Sequence, residues 1–170
     1  MKSKTIIITV FISLLVAILL VWGYVKNDNS AASVQGVKVT NASSVLTATN
    51  TIHDFGSIAM KNGNVSKDFR FTNSSEQEVV IRSLETSCMC TTAFLVESDG
   101  STKGPFGMAG MGGVTNANET IRVGENRILR VVYDPKAHGP AGVGPIDRFI
   151  TITDDSGRIL RFEIKALVTP

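Results

Sequence analysis

Two patterns of hydrophobic and polar positions divide this chain. Thr5 to Val25 is an uncharged run, with Lys2 and Lys4 before it and Lys26 after it. A helix needs roughly 20 apolar residues to cross a hydrocarbon core, whereas the apolar stretch of a cleaved signal peptide is about 7–15 residues long. The run therefore predicts a transmembrane signal anchor over residues 1–26. Cleavage after Ser30-Ala31-Ala32 is the competing outcome, but that site lies well past the apolar run. Trp22 and Tyr24 stand at the far end, where amphipathic rings favour the headgroup layer. The leading lysines place the N-terminus in the cytoplasm and everything after Lys26 outside.

The second pattern has a period of two. Val65, Lys67, Phe69 and Phe71 alternate with Ser66, Asp68, Arg70 and Thr72, the mark of a half-buried strand. Similar runs predict strands over 51–55, 79–84, 92–97, 119–123, 127–133, 146–153 and 158–168. In the last of these Leu160, Phe162, Ile164, Ala166 and Val168 share one face. Asn73-Ser74-Ser75-Glu76 supplies turn chemistry, and Asp154-Asp155-Ser156-Gly157 signals a hairpin. Short strands with regular turns and no amphipathic helix predict an all-β, Ig-like antiparallel β-sandwich of seven to eight strands. Residues 27–50, rich in Ser, Asn, Ala and Thr, predict a flexible tether, since few large apolar side chains offset the chain entropy. The folded domain is then expected over 51–170. Ser98 to Asn118 and Asp134 to Pro145 are read as long loops, and loops of that length tend to carry function.

Composition adds mainly exclusions. A formal net charge of +2 with no Lys/Arg stripe leaves nothing to displace phosphate counterions, so no nucleic-acid partner is expected. Cys88 and Cys90 are the only cysteines, too few for a disulfide-stapled scaffold. No Gly-x-Ser-x-Gly elbow occurs. His53 and Asp54, adjacent in a strand, point to opposite faces and make a poor base–orienter pair. Nothing in the sequence compels an enzyme.

The sharpest chemical motif is Ser87-Cys88-Met89-Cys90-Thr91-Thr92. In an extended strand alternate Cα atoms lie about 6.6–6.8 Å apart, the upper limit for a disulfide. An internal bridge therefore requires a local turn. In the extended case both thiols share one face and suit a soft metal. Met108, Met111 and His138 are the candidate additional ligands, a set that selects Cu(I); buried packing of the thiols is the bland alternative. The glycines of GPFGMAGMGG recur every third residue without a following helix, which excludes a phosphate-cradling loop. That apolar loop and the 134–145 loop form a candidate contact surface with Phe106, Met108, Met111, His138 and Pro140.

Ile52-His53-Asp54-Phe55-Gly56, Phe69-Arg70-Phe71-Thr72-Asn73, the Ser87–Thr92 motif and Val131-Val132-Tyr133-Asp134-Pro135 together resemble a bacterial Ig-like family, domain of unknown function 1573. They are distantly similar to Hydin-type sandwich domains. The resemblance implies a secreted or membrane-anchored sandwich and transfers no activity. Met89 stands where the family signature S-C-G-C-T-T has Gly, which argues against a tight turn and an internal disulfide. The expected role is non-catalytic, with the loops presented to an envelope protein partner and no resident cofactor. The alternative is a copper- or thiol-handling module built on Cys88 and Cys90.

Overall fold

A computed structural model of the protein describes residues 44–97 and 99–170. Among them no helix is long and apolar enough to cross a membrane. The expected anchor over 1–26 and residues 27–43 of the expected tether lie outside the described residues.

The period-two segments form strands because alternate side chains find a common apolar side. Ten strands occur among the described residues: β1 (Leu46–Ala48), β2 (Ile52–Ala59), β3 (Val65–Asn73), β4 (Val79–Thr86), β5 (Thr91–Val96), β6 (Thr102–Phe106), β7 (Asn116–Ile121), β8 (Asn126–Tyr133), β9 (Gly144–Asp154) and β10 (Ile159–Thr169). One sheet has the order β1-β3-β8-β5-β6 and the other β2-β10-β9-β4-β7. All neighbours pair antiparallel except β2 and β10, which run parallel. The inner faces meet in one core, where Phe162 of β10 lies between Phe69 and Phe71 of β3, 5.0 and 6.4 Å away by ring centroid. Phe162, Ile164, Ala166 and Val168 are buried as their shared parity requires.

Three differences from the sequence expectation have local causes. Leu46, only 2% exposed, anchors β1 on β3, so the fold begins before Thr51; one buried Leu is invisible in a composition averaged over the tether. Gly56 does not end β2. Its φ of +68° forms a bulge, opposite the register shift between Lys165 and Leu167, and the strand continues to Ala59. The expected loop from Ser98 contains β6, an edge strand on β5 whose Gly104 and Pro105 carry no alternation.

Asp154, 1% exposed, shows how the turn residues act. Its carboxylate accepts from the Ser156 and Arg158 backbone N–H groups, both at 2.9 Å, and from Arg158 Nε at 2.8 Å. Arg127 is 7% exposed and pairs with Glu97 at 2.9 Å, with Glu119 at 3.5 Å and with Glu125. Burial raises the Glu97 pKa, only partly offset by Arg127. The Arg122 backbone N–H chiefly lowers that of Glu125, assisted by Arg127.

Candidate functional site

Between β4 and β5 the chain must reverse from one sheet into the other within Ser87–Cys90. The Thr91 N–H donates to the Cys88 carbonyl at 3.1 Å and closes a turn. The buried Thr86 hydroxyl reaches the Cys88 and Thr91 carbonyls at 3.1 and 3.0 Å. Ser87 is pinned to β9 through Ser87 N–H to Phe149 O and Phe149 N–H to Ser87 Oγ, each 2.9 Å. This turn brings the Cys88 and Cys90 Cα atoms to 5.2 Å, and a disulfide joins them. The expectation of an extended pair without an internal bridge is therefore corrected. Met89 does not prevent the turn, because its side chain, 56% exposed, points away into solvent.

A second connection folds over the bridge. The Asp134 N–H donates to the Cys90 carbonyl at 2.9 Å, and Asp134 Oδ1 accepts from the Lys136 N–H at 2.8 Å. A turn closed by Gly139 N–H to Lys136 O then delivers His138. Gly142 lies under it, where an added Cβ would come within 3.3 Å of the His138 Cβ. His138 Nε2 lies 3.1 Å from Cys88 Sγ. The candidate ligand atoms of Cys88, Cys90 and His138 all fall within 4.8 Å of one another.

Arg148 completes the site, and the sequence reading missed it. Its Nε donates to Cys90 Sγ at 3.3 Å and its Nη1 to the Asp147 carbonyl at 2.9 Å. The signal was present in β9. Arg148 shares parity with Ile146, Ile150 and Ile152, all buried, so a cation sits at a core-facing position. It also faces Tyr133, whose hydroxyl pKa is raised by burial, with Arg148 opposing that rise. Around the two sulfurs this places one permanent cation, one imidazole, the Cys90 N–H at 3.2 Å from Cys88 Sγ and the Thr91 hydroxyl at 3.7 Å from Cys90 Sγ.

The other candidates divide. Phe106 is 1% exposed and belongs to the core, so it is removed from the contact surface. The loop it leads into is tied at its base by Gly107 N–H to Val114 O at 3.0 Å and by Thr86 N–H to Gly107 O at 3.2 Å. Thr86 thus links the loop to the disulfide turn. Met108 is half-buried and Met111 is 60% exposed, within a turn closed by Met111 N–H to Met108 O. Pro140 is exposed beside His138. His53 packs edge-on against Phe55 at 4.6 Å and is no part of the thiol cluster.

Comparisons with known proteins give a family match over part of the chain, and a fold. Residues 46–100 match the family described as Protein of unknown function (DUF1573). A protein of unknown function from Porphyromonas gingivalis W83 is similar in structure at 16% identity, with a TM-score of 0.53 over 79% of this chain and 51% of that one. The chain thus spans about half the length of that protein. The secreted serine protease VesC from Vibrio cholerae (10% identity, TM-score 0.45, 74% of this chain and 24% of that one) and the CupB2 chaperone of Pseudomonas aeruginosa (18%, 0.39, 72% and 55%) are more remote. No curated protein matches the chain.

Proposed function

We propose that this chain, whose residues 46–100 match the DUF1573 family, is a membrane-anchored extracytoplasmic Ig-like module that handles thiols and soft metal ions through Cys88 and Cys90. The observation that carries this reading is convergence. Cys88, Cys90 and His138 come from two separate connections, yet their ligand atoms lie within 4.8 Å of one another. Disulfide formation and metal binding are exclusive uses of the same sulfurs, because only a thiolate ligates. Oxidised, the pair is a bridge. Reduced, two sulfurs and an imidazole form a donor set suited to Cu(I), with Zn(II) as its competitor and a Met108 or Met111 thioether as a further ligand.

The test uses the full-length chain, reduced with dithiothreitol, desalted and offered Cu(I) or Zn(II) before native mass spectrometry. Retention of one Cu(I), lost in Cys88→Ser/Cys90→Ser and weakened in His138→Ala, supports the reading. A metal-free spectrum from a chain whose bridge also resists glutathione rejects it. The anchor rests on the uncharged run from Thr5 to Val25. Release of the chain from membranes by alkaline carbonate would reject that part alone.

A second reading, display of a surface to an envelope protein partner without chemistry, is favoured by apolar exposure on the Gly-rich loop. Met111 is 60% exposed and Val114 58%. Under that reading partner capture survives replacement of both cysteines and is lost on Met111→Ser/Val114→Ser.

A further inference from the structure

The two sulfurs of the bridge are not equivalent, and we infer that the difference directs thiol–disulfide exchange: an incoming thiolate attacks Cys88 Sγ, and Cys90 departs as a thiolate held by Arg148. This assignment rests on the thiol-handling reading and adds a direction to it.

Exchange depends on which sulfur an attacking thiolate can reach and on how well the other carries negative charge as it leaves. Access favours attack at Cys88, the more exposed residue at 9% against 2% for Cys90. Charge favours departure of Cys90. Its sulfur receives the Arg148 Nε–H at 3.3 Å, and a guanidinium remains protonated under all working conditions. The donors around Cys88 Sγ are weaker: a backbone N–H at 3.2 Å, and a His138 Nε2 at 3.1 Å that donates in only one of its neutral tautomers. The remaining surroundings are consistent with this polarity. Met89, 56% exposed, lies in the turn beside the attacked sulfur, while the Thr91 hydroxyl, buried with Cys90, sits 3.7 Å from the departing one.

A thiolate RS⁻ bonds to Cys88 Sγ as the Cys88–Cys90 bond breaks, and the bonding pair stays on Cys90. A second RS⁻ attacks the R sulfur of the mixed disulfide, forms RSSR and releases Cys88. Two RSH are oxidised to RSSR, and the protein disulfide gains two electrons and two protons to become the dithiol. The reductant is a thiol, either a small molecule or a protein cysteine.

The experiment treats the oxidised full-length chain with reduced glutathione, quenches early with N-ethylmaleimide and maps both cysteines by tandem mass spectrometry. A parallel arm uses reduced thioredoxin lacking its second cysteine, so that a mixed disulfide with a protein thiol persists. The expected result in either arm is the adduct on Cys88 and maleimide on Cys90, by about tenfold or more. Arg148→Gln is expected to slow reduction about tenfold, the effect of one charge-assisted hydrogen bond, with the adduct still on Cys88 and part of the rate recovered in Arg148→Lys. Adducts on Cys90, an equal mixture, or an unchanged rate in Arg148→Gln would overturn the assignment while leaving the thiol-handling reading intact. A bridge that neither thiol reduces would reject that reading, and the assignment with it. The mapping needs no variant, so a folding defect in Arg148→Gln does not affect it.

Discussion

Reduction of the Cys88–Cys90 bridge is expected to cost the fold little. The link closes a loop of only three residues, from Cys88 through Met89 to Cys90. The chain-entropy relation gives about 5 cal/mol/K for such a loop, hence about 1.6 kcal/mol at 25 °C, roughly half the value for a 15-residue loop. The turn is also held by contacts that need no covalent bond. Thr91 N–H to Cys88 O, the Thr86 hydroxyl, the Ser87–Phe149 pair and Asp134 N–H to Cys90 O use no sulfur atom. Differential scanning calorimetry of the chain with and without a phosphine reductant measures the effect. Tm is expected to fall by about 5 °C with the transition still cooperative. A fall beyond ~15 °C, or loss of the cooperative transition, would show that the bridge holds the fold. It would make the bridge a structural staple.

Three further outcomes are expected. Phe106→Ala should destabilise the chain by about 3–4 kcal/mol in urea titration, whereas Met111→Ser should stay within about 0.5 kcal/mol; similar costs for the two would contradict the division of the Gly-rich segment into core and surface. Arg127→Ala leaves Glu97, Glu119 and Glu125 facing one another without their common cation, and a loss of about 3 kcal/mol is expected from the urea midpoint, with less than ~1 kcal/mol refuting a central role for that cluster. In carboxyl NMR, Glu97 should titrate above the ordinary glutamate range and Glu125 below it. The Glu97 contribution to stability is therefore greatest in acid and is lost as pH rises through its folded pKa. That of Glu125 is present above its unfolded pKa and is lost as pH falls through its folded one; a reversed titration order would contradict the geometry.

Where one face of a strand is buried, the sequence is legible. Phe69 and Phe71 in β3 and Phe162 through Val168 in β10 announce both their strands and their inward faces. β6 was not legible, because Thr102–Phe106 is an edge strand in which Gly104 and Pro105 replace alternation. The thiol pair was legible as a motif but not as a conformation. What brings Cys88 and Cys90 together is a set of bonds from Thr86, Phe149 and Asp134, groups up to about 60 positions away. The approach of His138 to Cys88, 50 positions apart, is likewise a product of topology rather than of local spacing. Arg148 was the one site residue whose anomaly could have been seen beforehand, as a charge in phase with three isoleucines.

The parallel pairing of β2 with β10 has a consequence for the order in which the molecule is assembled. β2 has one strand neighbour, and Thr169 Oγ1 meets the Ile58 carbonyl across 111 positions of sequence. Of the ten strands a ribosome delivers β10 last, so β2 waits unpartnered while β3 to β9 are made, and long-range pairing of this kind is slow even when both strands are present. During that interval the Cys-x-Cys segment is carried on unfolded chain, before β9 and the 134–143 turn exist to hold Arg148 and His138 against it. The two sulfurs therefore belong to a bare peptide while the chain is incomplete, and become the polarised pair only in the finished sandwich.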